Sequence, residues 1–124
     1  MINSKSKKVI WVIDDDMAIL EAIKIVLEER GFEVVPFTNA NKLPRSIDGR
    51  SPNLILLDLW LPGIDGETVA KKLKASKITS KIPIIMISAN QDLKTIAKTC
   101  MVEDFLAKPF EIQDLVRTID KHIN

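Results

Sequence analysis

The stretch Asn53–Gly66, NLILLDLWLPGIDG, constrains the chain more than any other. Leu54–Leu57 are four unbroken apolar residues that run directly into Asp58, and a Pro-Gly pair and then Asp-Gly follow. An apolar run this short, closed by turn residues, predicts a strand buried on both faces, as in a parallel sheet. Asp58 is then a charge at the carboxyl end of a buried strand, and ligands of open α/β sheets bind just outside such ends. Taken alone, Asp58 fits a turn cap as well, since aspartate favours turns.

Four more apolar runs share the design. Lys8–Ile13 is short and β-branched, and it ends in Asp14, Asp15 and Asp16; Phe32–Phe37 reads as the second strand. Ile82–Ile87 ends in Ser88-Ala89, and the short run Asp104–Ala107 stops at Lys108-Pro109, because proline cannot continue a central strand. Between the strands, apolar residues recur at helical spacing. Met17–Arg30 carries Ile19, Ala22, Ile23, Val26 and Leu27, with Asp16 as N-cap and Gly31 as stop. Glu67–Ser76, Gln91–Cys100 and Glu111–His122 repeat the spacing, and Asn39–Arg50 reads as a weak helix interrupted by Pro44. Strand and helix thus alternate five times, which requires right-handed crossovers and a parallel sheet covered on both faces.

With 124 residues the chain forms one domain around one core, residues 8–124, preceded by a short extension, 1–7. Apolar residues at 46% and charged residues at 28% exclude a disordered chain. A net charge of only +1 argues against direct nucleic-acid binding, and Lys71, Lys72, Lys74, Lys77 and Lys81 read as a solvated helix face. A single cysteine permits no internal disulfide, and no apolar run is long enough for a membrane span or a signal peptide, which places the chain in the cytoplasm.

The polar residues that close the strands all fall on one edge of the sheet: Asp14, Asp15 and Asp16, then Asp58, Ser88 and Lys108. Crowded carboxylates repel unless a cation joins them, and hard oxygen ligands suit Mg²⁺. With a hydroxyl and an ammonium added, such a pocket can hold the three oxygens of a phosphoryl group, the stabilisation that in-line transfer needs. An aspartate can then serve as nucleophile and form an acyl phosphate.

The motifs VIDDD at 12–16, LLDLWLPGIDG at 56–66, PIIMISA at 83–89 and DFLAKPF at 104–110 carry a family resemblance over nearly the whole chain from Lys8. In this order and spacing the sequence resembles the receiver domain of two-component response regulators. The resemblance implies a flavodoxin-like (βα)5 three-layer sandwich with a five-stranded parallel sheet of order 2-1-3-4-5. It implies that Asp58 is the phospho-acceptor, that Asp15 binds Mg²⁺ directly with the backbone carbonyl of Trp60, and that Asp14 helps through water or from behind. Ser88 and Lys108 would bind phosphoryl oxygens, and Phe105 would stand at the aromatic switch position. The donor would be a phosphohistidine on a histidine kinase or phosphotransfer protein, followed by self-catalysed hydrolysis; a target protein or output domain would read the result. No output domain follows Asn124, which leaves open a stand-alone regulator or the receiver of a longer regulator or hybrid kinase. Three positions depart from the usual family pattern. Cys100-Met101 replaces a Gly-Ala pair, Trp60 is a large neighbour able to shield the acyl phosphate from water, and Phe105 stands where tyrosine is common.

Two other classes fit part of the pattern. Asp14-x-Asp16 after a strand is formally the DxD of haloacid-dehalogenase-type phosphatases, but the chain has little room for a cap or extra strands and that reading leaves Asp58 unexplained. A pseudo-receiver, a pure interaction module, would keep the fold while losing one of the polar groups. Away from the strand ends, Cys100 and Trp11 read as core packing, and His122, the only histidine, as a favourable charge at a helix C-terminus.

Overall fold

A computed structural model describes residues 7–40, 43–44, 49–61 and 64–123, without the side chains of residues 60, 61 and 64. The strands are β1 (Val9–Ile13), β2 (Glu33–Phe37), β3 (Leu54–Asp58), β4 (Trp60–Leu61), β5 (Ile64–Asp65), β6 (Ile84–Ser88) and β7 (Asp104–Ala107). The helices are α1 (Met17–Glu29), α2 (Gly66–Ala75), α3 (Leu93–Cys100) and α4 (Ile112–His122). Five strands form one sheet of order β2-β1-β3-β6-β7, all parallel. Counting only these strands, the order is 2-1-3-4-5, as expected. Of the weak helix expected over residues 39–50, residues 41, 42 and 45–48 fall outside the described residues.

The unbroken apolar runs are explained by the layers. Every side chain of β1 and β3 is buried, and successive residues alternate between two cores. Trp11, Ile13, Ile55, Leu57 and Met86 pack with Val69 and Ala70 of α2 and Leu93, Ala97 and Cys100 of α3. Ile10, Val12, Leu54, Leu56 and Ile85 pack with Leu20, Ile23 and Leu27 of α1 and Leu115 and Ile119 of α4. Three layers result, α2 and α3 on one side of the sheet and α1 and α4 on the other. Pro36 sits in β2, an edge strand, where a missing N–H costs no ladder bond.

Local hydrogen bonds correct several expected boundaries by one or two residues. β6 begins at Ile84 because the Ile82 N–H donates to Thr79 O at 3.0 Å and so belongs to the preceding turn. β2 begins at Glu33 because the Phe32 N–H reaches back to Leu27 O at 3.1 Å and closes the end of α1, a turn that the positive φ of Gly31 (93°) permits. The antiparallel pair of β4 and β5 was not expected, since two-residue strands leave no readable period.

Candidate functional site

Parallel register brings the strand ends together. β1, β3, β6 and β7 stop at one edge, placing Asp14, Asp58, Ser88 and Lys108 in a single pocket. Asp14 (2% exposed) and Asp58 (5%) are buried, and Asp15 is exposed beside them. Carboxylate oxygens of these three residues lie within 4.8 Å of one another. The Lys108 ammonium stands 3.1 Å from Asp14 Oδ2 and 3.6 Å from Asp58 Oδ2. Three carboxylates crowded this closely repel one another, and Lys108 is the cation seen at ion-pair distance from two of them. A pocket of clustered hard oxygen donors fits a small divalent cation such as Mg²⁺ and does not suit a soft metal.

The acidic triplet divides its work. Asp14 accepts the Asp16 N–H on Oδ1 (2.9 Å) and Lys108 on Oδ2, so neither oxygen is idle. The Asp16 carboxylate turns away to cap α1, accepting the N–H groups of Ala18 and Ile19 at 2.9 and 3.3 Å. Asp14 and Asp16 therefore do not converge as a phosphatase DxD pair would. Asp15, its side chain exposed, completes the acidic group from the rim.

Ser88 is nearly inaccessible (1%), and its Oγ accepts the Asn90 N–H at 3.0 Å. Asn90 Oδ1 in turn accepts the Asp92 N–H at 2.7 Å, which builds the turn leading into α3. Trp60 follows two residues after Asp58, where its backbone pairs with Asp65. Phe105 lies back along β7, half-buried against the α2/α3 core and opposite Met86, outside the cluster of charges. Beside Lys108, an open apolar depression of about 370 Å³ is lined by Ile19, Ala89, Pro109 and Phe110.

Two supporting residues carried no sequence signal beyond the motif itself. A Cβ on Gly66 would lie 2.6 Å from both the Asp58 carbonyl oxygen and Leu59 Cα, so only glycine lets α2 start against the end of β3. The preceding Asp65 caps α2 through the N–H (2.8 Å) and hydroxyl (3.0 Å) of Thr68, and these bonds hold its carboxyl below the usual carboxylate range. The Cys100-Met101 pair also finds its explanation. Met101 caps α3 in the left-handed conformation (φ 61°), a geometry suited to glycine, and burial pushes the Cys100 thiol up, away from nucleophilic form.

A doubly wound parallel domain whose carboxyl edge gathers three carboxylates, a buried hydroxyl and a lysine belongs to the class of open α/β proteins that hold a ligand at that edge. Within that class, the family model of the response regulator receiver domain matches residues 10–120. The chain belongs to this family. It is 38% identical over 111 residues to the phosphate regulon transcriptional regulatory protein PhoB of Pseudomonas aeruginosa, covering 88% of this chain and 48% of that one. It thus spans about half the length, or less, of the curated relatives it matches. A solved response regulator from Chloroflexus aurantiacus superimposes with a TM-score of 0.84 at 30% identity, over 94% of this chain and 97% of that one. The signal receiver domain of a signal transduction histidine kinase from Syntrophus aciditrophicus gives 0.82 at 25% identity, over 92% and 88%. Among the described residues, no helix is long and apolar enough to cross a membrane.

Proposed function

We propose that Asp58 is the phospho-acceptor of this receiver domain and that its donor is a phosphohistidine on a histidine kinase or phosphotransfer protein. The observation that carries the reading is the placement of Asp58, buried at the end of the central strand, 3.6 Å from the Lys108 ammonium. A carboxylate oxygen of Asp58 attacks phosphorus as the P–N bond breaks, its electron pair passing to the imidazole nitrogen, and an acyl phosphate remains. Lys108, paired with Asp14 and Asp58 before reaction, turns its charge to one phosphoryl oxygen, and the Ser88 hydroxyl donates to another. Asp15, Asp58 and the Trp60 carbonyl would hold Mg²⁺, with Asp14 behind them. When bound, the ion supplies the positive charge that offsets the transferring oxygens. Water later attacks phosphorus, returning the Asp58 carboxylate and releasing inorganic phosphate.

The signal is the movement that follows. Ser88 drawn toward the phosphoryl group vacates space along β6, Phe105 turns inward, and the face made by α3 and β7 changes for a target protein or output domain. Backbone amide shifts that stay fixed over residues 91–110 on phosphorylation would refute this step. The phosphorylation itself is tested by intact mass after incubation with Mg²⁺ and acetyl phosphate. One phosphoryl group is expected, absent in Asp58→Asn and in a chelated sample. If neither acetyl phosphate nor a phosphorylated kinase adds that mass, the domain is a pure interaction module.

A further inference from the structure

The only histidine of the chain is joined to the switch strand. His122 Nε2, in the last turn of α4, lies 2.7 Å from Asp104 Oδ2 at the start of β7. The other oxygen of the same carboxylate, Oδ1, accepts the backbone N–H of Phe105 at 2.8 Å. An ionised carboxylate only accepts, so Nε2 must carry a proton, as the Nε2–H tautomer or as imidazolium. One side chain therefore bridges the imidazole of α4 and the peptide amide of Phe105. The bridge exists because β7 is an edge strand that pairs with β6 alone, which leaves outward N–H groups to be met by side chains.

We propose that His122 is a positioning residue for the switch, fixing Phe105 through Asp104 and making the resting position of Phe105 depend on the charge of the imidazole. The proposal rests on the reading of Phe105 as the switch residue. Among the described residues, two charged groups stand at the His122 contact. Asp104 comes from β7, and Lys121, its own neighbour, lies 3.9 Å from the same Asp104 oxygen with its side chain 65% exposed. The next acid of the chain, Glu103, is engaged elsewhere, at 2.8 Å from Lys74. With His122 charged, the Asp104 bond is charge-assisted and the carboxylate is oriented firmly toward the Phe105 amide; with His122 neutral, the same geometry is held by an ordinary hydrogen bond. A packing role for the ring would not change with pH.

The test is an NMR titration of the unphosphorylated protein from pH 5 to 8, following the His122 ring and the Phe105 amide together. The two are expected to move with one midpoint. In His122→Gln, whose side-chain amide can still donate to Asp104, the fold is kept and the pH-dependent part of the Phe105 movement is lost. In the phosphorylated state, the ratio of inward to outward Phe105 is expected to change roughly three- to tenfold between wild type and His122→Ala, the value of one partly exposed charge-assisted bond. A Phe105 amide that stays still while the His122 ring titrates overturns the proposal. Because the titration needs no phosphoryl group, failure of Asp58 to accept one would leave this result standing and would count only against the phospho-acceptor reading.

Discussion

β3 and β7 both end in the pocket, Asp58 on one and Lys108 just past the other, yet different forces hold them. β3 lies between β1 and β6, and every one of its side chains is buried. β7 has one neighbour, its residues are half-buried or exposed, and its amino end is fastened by polar contacts. Glu103 takes Lys74 on one oxygen and the Ile84 N–H on the other, each at 2.8 Å, while Asp104 takes His122 and the Phe105 N–H. Asp58, the proposed phospho-acceptor, thus sits on the most deeply buried part of the sheet. Lys108 and Phe105, the residue proposed as the switch, sit on or just past the edge strand, which has fewer contacts to hold it. Such a division suits a signalling domain, in which the reaction centre must keep its geometry while the reporting strand changes position.

Truncating each strand should expose the contrast. Leu57→Ala removes a fully buried side chain from β3 and should cost about 3 kcal/mol in urea denaturation, whereas Phe105→Ala, from a half-buried site, should cost about 1–2 kcal/mol. Equal losses would break the comparison. Gly66→Ala sharpens it at the joint between β3 and α2. The added methyl meets the Asp58 carbonyl oxygen and Leu59 Cα, so about 2 kcal/mol should be lost, and the rate of phosphoryl uptake should fall with it. Asp16→Ala should cost about 1 kcal/mol through the lost α1 cap, a loss that Asp16→Asn largely avoids. The smallest effect is a gain. Met101→Gly should raise the unfolding free energy by about 0.5 kcal/mol, seen as a higher denaturation midpoint, since the left-handed residue after α3 bears an exposed side chain that nothing requires.

The same contrast explains what could be read in the sequence. Central strands announce themselves as unbroken apolar runs, and a polar residue that ends such a run has only one edge of the sheet to occupy. That is why the sequence places Asp14, Asp58, Ser88 and Lys108 together at one edge. Periodicity does not show how three adjacent aspartates divide between capping and pocket, because that depends on where the first turn of α1 points. It does not show the β4–β5 pair, too short to have a period, nor the demand for glycine at 66, which arises from a contact with another element. The sequence puts His122 on the last helix turn, where it supports a favourable helix-end contact. Its partner, Asp104, is eighteen residues away and becomes visible only once α4 folds back on β7.

The most direct test of the central claim is to locate the phosphoryl group. Borohydride reduces an acyl phosphate to an alcohol, so protein phosphorylated with acetyl phosphate and Mg²⁺, then reduced, should carry homoserine in place of one aspartate, identified by tandem mass spectrometry. The arrangement of Asp58 at the end of β3 beside Lys108 predicts homoserine at position 58 and nowhere else. Homoserine at 14 or 15, or none in protein shown to have gained a phosphoryl group, would contradict it.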